Sequence, residues 1–147
     1  MKEILNKLRA DIEANKVQPQ AVADLVATLL PRIFSFNHTN DTGYVTGNVL
    51  AWWIAEEKIV LKKNLVNLQA AYKLDALHTS LGAVAKIGIR KLGGSALGYI
   101  RFDVGSKTPV AEFANDVTVL AGESIEFYVE TLPGIAAITV SLPHWLA

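Results

Sequence analysis

A chain of 147 residues with 14 basic and 14 acidic side chains carries no net charge, so no general attraction to phosphate backbones or anionic membranes is built into it. The absence of cysteine excludes a disulfide framework, a thiolate nucleophile and a cysteine-based zinc site. The length suits one domain or two small parts sharing a core, and a hydrophobic content of 51% implies either an alanine-inflated core or apolar surface covered by neighbouring subunits.

In chain order, Ile4, Leu5, Leu8 and Ile12 form one stripe of a short amphipathic helix, with Lys2, Asn6, Lys7 and Glu13 mostly off it. Met1 to Leu5 lacks the apolar core of a secretory signal. A second short helix is predicted from Pro19, whose missing N–H costs nothing in a first helical turn. Val22, Leu25, Val26, Leu29 and Leu30 follow three-four spacing until Pro31 ends or kinks it. The most apolar stretch, Ala21 to Phe36, contains Asp24, Pro31 and Arg32 and so does not predict a bilayer span.

Ser35 to Gly47 reads as a polar connection rich in Asn, Asp, Thr and Gly. Its two Asn-x-Thr sequons, at Asn37 and Asn40, read as loop chemistry. A long helix is then expected from Asn48 to Leu77, with Leu50, Trp53, Ile54, Leu61, Leu65, Leu68 and Tyr72 on its stripe and a break near Lys58-Ile59. As a coiled coil this stripe would place Lys58 and Asp75 in the seam and leave only about two clean heptads, so a packed bundle helix is the better reading.

From Val84 the period changes to two. Ile87 and Ile89 alternate with Lys86, Gly88 and Arg90, and Tyr99, Arg101 and Asp103 alternate with Ile100, Phe102 and Val104. Val117 and Val119 lead to a turn at Ala121-Gly122. Next, Ile125, Phe127 and Val129 face one way, with Glu126, Tyr128 and Glu130 facing the other. After a turn at Leu132-Pro133-Gly134, Ile138, Val140 and Leu142 form a last strand. The expected fold class is α+β: N-terminal helices, two short and one long, followed by a C-terminal antiparallel β-sandwich or small barrel. The boundary falls near Ser80-Leu81-Gly82, giving a helical assembly or anchoring region at 1–80 and a β-rich displayed domain at 81–147.

The groups that catalysis needs are sparse. His38, His78 and His144 lack a second ligand at metal-binding spacing; His78, near the end of the expected helix, suits its dipole instead. Gly93-Gly94-Ser95 lies between two strands, where a phosphate loop would need a following helix. No Gly-x-Ser-x-Gly elbow occurs, and Glu123, Glu126 and Glu130 read as the solvent side of a strand rather than a glycosidase pair. Neither catalytic residues, metal ligands nor a cofactor are expected, and the chain is read as non-enzymatic. The basic pairs Lys62-Lys63 and Arg90-Lys91 are too short to track a nucleic acid.

The aromatic residues carry more. On a helix Trp52 and Trp53 project about 100° apart, so one would face the core and the other a second surface. Trp145 would dock on its own domain or on a partner. The interface candidates are Trp52, Trp53, Leu61, Leu65, Leu68, Tyr72 and Trp145.

An internal echo links Val17-Gln18-Pro19-Gln20, leading into Val22, Leu25 and Val26, to Val45-Thr46-Gly47-Asn48, leading into Leu50, Trp53 and Ile54. As far as Ala55 the chain resembles the N-terminal helical segments of small appendage proteins of phage particles, and its α-then-β order is similar to fibre, spike and decoration proteins. The resemblance implies a structural virion protein assembled in the host cytoplasm. Its partners would be itself, as a homo-oligomer such as a trimer, and other virion proteins, with the β half displayed. The alternatives are a small ligand-binding β-sandwich module for carbohydrate or peptide with a helical adaptor, and an accessory subunit of a cellular complex.

Overall fold

The computed structural model describes residues 2–13, 22, 30–65 and 67–147. Where the long helix was expected, between Asn48 and Leu77, the chain instead forms three strands: β2 (Val49–Ile54), β3 (Ile59–Leu61) and β4 (Gln69–Leu74). The apolar positions there satisfy a helical stripe and strand alternation alike. Composition decides between them, because Val49, Trp52, Trp53, Ile54, Ile59 and Val60 are β-branched or aromatic and pack well on a pleated surface. The first expected helix is present as α1 (Lys2–Glu13). The second falls almost wholly on residues outside those described. Ser35 to Thr39, read as part of a polar connection, belongs to β1 (Arg32–Thr39), along which Phe34, Phe36 and His38 are the less exposed positions. The α+β class is therefore corrected: the described residues form a mostly β protein with one short helix.

The remaining strands are β5 (Ala85–Lys91), β6 (Ala96–Phe102), β7 (Val110–Phe113), β8 (Val117–Val119), β9 (Ser124–Thr131) and β10 (Ile135–Leu146). They complete two five-stranded sheets, and every pairing is antiparallel. One sheet runs β1-β10-β3-β8, with β4 also on β10; the other runs β2-β9-β5-β6-β7. The twelve residues of β10 organise the first sheet. They pair with β1 from Arg32↔His144 to Thr39↔Ala137, with β4 from Ile135↔Leu74 to Ser141↔Gln69, and with β3 at Trp145↔Val60 and Leu146↔Ile59. In the second sheet β9 lies between β2 and β5.

Between the sheets, Ile87, Ile89, Ile100, Phe102, Ile125, Phe127, Ile138, Val140 and Leu142 are fully or almost fully buried. Each such side chain contributes about 1.5–3 kcal/mol through its removal from water. The pairings cross the boundary expected near Leu81: β1, β3 and β4 lie on β10, and β2 lies on β9. Residues on both sides of that position thus build one core, not a helical base and a separate β head.

Ile4 and Leu5 of α1 are 44% and 48% exposed, and Leu8 is half-buried. Among the described residues, no helix is long and apolar enough to cross a membrane.

Candidate functional site

The second sheet turns its apolar residues inward, and alternation sends a different set outward. From β9 come Glu126, Tyr128 and Glu130; from β5, Lys86, Gly88 and Arg90; from β6, Tyr99 and Arg101; from β7, Glu112. Glu126, expected on the solvent side, is only 8% exposed and Tyr128 only 7%, because neighbouring side chains on this face cover them. The register sets Trp52 beside Glu126 and Glu126 beside Arg90 in one row across the sheet. A second row runs Val49, Tyr128, Gly88, Tyr99 and Glu112.

Neighbouring side chains hold these groups in place. Arg90 Nε donates to Glu126 Oε2 at 2.9 Å, while the guanidinium lies 4.4 Å from the centre of the Tyr128 ring. Such a cation over an aromatic face is attracted by the ring quadrupole. The Tyr128 ring occupies the space above Gly88, where any Cβ would collide with Cζ, Cε1 and the hydroxyl. Burial raises the Tyr128 phenol above its ordinary pKa, and the adjacent Tyr99 adds to this. Further along, Lys86 Nζ sits 5.1 Å from the Tyr99 ring centre and 3.3 Å from Glu112 Oε2. Arg101 Nη1 lies 3.6 Å from Glu112 Oε1. Glu112 Oε2 is sealed from solvent without a well-aligned hydrogen bond, so its contact with Lys86 is an ion pair of poor hydrogen-bond geometry.

One margin of the face is apolar. Trp52 is 62% exposed, with Val49 and Ile54 also exposed on the same end strand. At the other margin a cleft of about 530 Å³ opens beside Tyr99, Glu112 and Phe113, lined also by Lys63 and Asn64. An exposed indole, an ordered band of donors and acceptors, and a cleft therefore follow one another across the sheet.

The sequence-derived interface residues are distributed otherwise. Leu61 and Leu65 are buried, and Leu68 packs against the core. Tyr72 meets Phe102 edge-on with ring centres 4.9 Å apart, and its hydroxyl donates to the Ser106 carbonyl at 2.7 Å. Trp145 packs on the core beneath the Lys62 ammonium, 4.5 Å from its ring centre. Trp53 faces inward, stacked on Phe34 at 5.2 Å, and Phe34 stacks in turn on Phe127 at 5.5 Å. Of the seven, Trp52 alone presents most of its surface to solvent. The sequence weighs Arg90 only as part of a basic pair and gives no role to Tyr99, Tyr128 or Glu112, although alternation in 99–104 and 125–130 places the two tyrosines on the side of the charged residues.

No family model matches the chain, and no curated protein matches it. Among solved structures it is similar to a Podospora anserina GH26-CBM35 β-(1,4)-mannanase, at a TM-score of 0.39 and 16% identity, over 78% of this chain and 28% of that one. The chain thus spans well under a third of that neighbour's length. These comparisons assign no family. A likeness at that level carries no argument about function, and nothing in it points to a virus particle.

Proposed function

We propose that the chain is a non-catalytic binding module whose outer sheet face takes a neutral carbohydrate. The observation behind this reading is the exposed Trp52 indole on the same face as the part-exposed Arg90 and Tyr99, with Glu126 and Tyr128 buried among them and holding them in place. A sugar ring has an apolar C–H face and a rim of hydroxyls that both donate and accept. It suits a flat aromatic next to fixed charged donors and acceptors. The cations Lys86, Arg90 and Arg101 are balanced by Glu112, Glu126 and Glu130, which favours an uncharged ligand over an anionic one. The carboxylates Glu112 and Glu126 are engaged with cations, which suits recognition better than proton transfer.

Calorimetric or NMR titration against a panel of neutral oligosaccharides tests the reading. Binding is expected, with Trp52→Ala weakening it about tenfold or more and leaving the melting temperature nearly unchanged, since the indole is mostly solvated. If no neutral oligosaccharide binds, or if Trp52→Ala binds as the parent does, the proposal fails.

A second reading, a structural subunit that assembles through its helix, is favoured by the solvated Ile4 and Leu5 of α1. The two readings are compatible, since one concerns a sheet face and the other a helix.

A further inference from the structure

Where the two sheets meet along the end strands β1 and β2, a separate cleft of about 290 Å³ is lined by Arg32, Phe34, Trp53, Glu56, Glu57 and His144, with Ile33 and Ile59 completing it. We propose that this cleft binds the ammonium group of an aliphatic amine. The inference is independent of the carbohydrate reading, because it uses none of the residues of that face.

The acceptors come first. His144 is only 5% exposed, and its Nδ1 makes a long contact of 3.5 Å with the Leu142 carbonyl. If Nδ1 carries the proton, as that contact favours, Nε2 is the acceptor; it has no partner among the described residues. His144 is among the residues that line the cleft. Burial lowers the His144 pKa, outweighing the hydrogen bond to the Leu142 carbonyl, which raises it, and the nearby Arg32 acts with burial, which favours the neutral imidazole.

Glu56 is exposed and has no hydrogen bond or ion pair among the described residues. Glu57 is paired with Arg32 at 3.2 Å, but both side chains are about half exposed, and an ion pair so open to water is weakly held. With two carboxylates against one guanidinium, the cleft has a net negative charge. The Trp53–Phe34 stack and the Trp53–His144 contact at 4.6 Å supply aromatic surface. An amine offers N–H donors on an apolar stem, which suits a cleft lined by both carboxylates and aromatic surface. Among the described residues no three His, Asp or Glu side chains gather as a metal site.

The test uses the full chain, with the side-chain NMR signals of His144 and Trp53 as reporters. n-Butylammonium is titrated beside its neutral isostere n-butanol, and Nα-acetyl-lysine amide stands for a peptide source of the same group. Saturable shifts with a dissociation constant of about 1 mM are expected for the lysine amide, with or without n-butylammonium. A response to both identifies a general amine site, and a response to the lysine amide alone identifies a peptide source. Glu56→Gln is expected to weaken binding about fivefold or more without changing the melting temperature, and Trp52→Ala is expected to leave it unchanged. The proposal is overturned if n-butanol produces the same shifts, if the lysine amide produces none, or if Glu56→Gln binds as tightly as the parent.

Discussion

Gly88 shows how one residue type shapes the outer face. The Tyr128 ring lies over it because there is no Cβ in the way, and this position lets Arg90 cover the ring from above. Gly88→Ala is therefore expected to displace the tyrosine and to destabilise the fold by about 1–3 kcal/mol in denaturant unfolding. In a double-mutant cycle with Tyr128→Ala the two costs should fall short of additivity, because the second change removes the clash created by the first. Strictly additive costs would show that the ring does not depend on that space. The outward position of Tyr128 was legible from the alternation of 125–130. Its glycine neighbour was not, because a register of Gly88 with Tyr128 joins positions forty residues apart and leaves no local signature.

At the scale of elements, legibility follows the distance over which a strand finds its partner. β5, β6, β9 and β10 run where period-two alternation places strands, and the Gly93-Gly94 segment joins β5 to β6 as a hairpin loop with Gly93 at φ +71°. β2, β3 and β4 were misread because Leu50, Trp53, Ile54, Leu61, Leu65, Leu68 and Tyr72 also recur at helical spacing. Their β-branched and aromatic residues favour strands, and their distant partners, β9 for β2 and β10 for β3 and β4, complete the choice. A helix there gives Trp52 no strand neighbour, so the outer face of the second sheet is not legible from the sequence. The α1 segment was legible from its stripe alone. Its twelve residues are marginal as an isolated helix in water, and exposed Ile4 and Leu5 add to that cost. The full chain is expected to self-associate through α1. Light scattering after size exclusion should give a mass above 15.9 kDa, with Leu5→Glu lowering it while the sandwich melts as before. A monomeric parent chain at micromolar concentration would exclude the helix as a self-association element.

For the molecule as a whole, the two sheets draw on strands from the entire described chain after α1. A fragment from Leu81 to Ala147 would keep β9 and β10 but remove β2 from one and β1, β3 and β4 from the other. Phe127 would lose its stacking on Phe34 and its contact with Phe36 at 4.9 Å. That fragment is expected to lack a cooperative thermal transition by circular dichroism, whereas residues 30–147 should retain one. A cooperative melt of the shorter fragment would mean that its half of the core is self-sufficient. The sequence taken alone favours that outcome, because its strands there alternate so cleanly.

The position of β10 has a consequence in time. Arg32 pairs with His144 and Thr39 with Ala137, so β1 is made long before the strand that completes it. On the ribosome β1 and β4 must wait, with their backbone donors and acceptors open, until β10 has emerged, and β3, which can pair with β8 earlier, keeps one edge open until then. Closure of such distant segments makes folding slow compared with a protein of local contacts, and the waiting edges are where two nascent chains could pair wrongly. The interval between synthesis of β4 and release of β10 is when this chain is most exposed to aggregation.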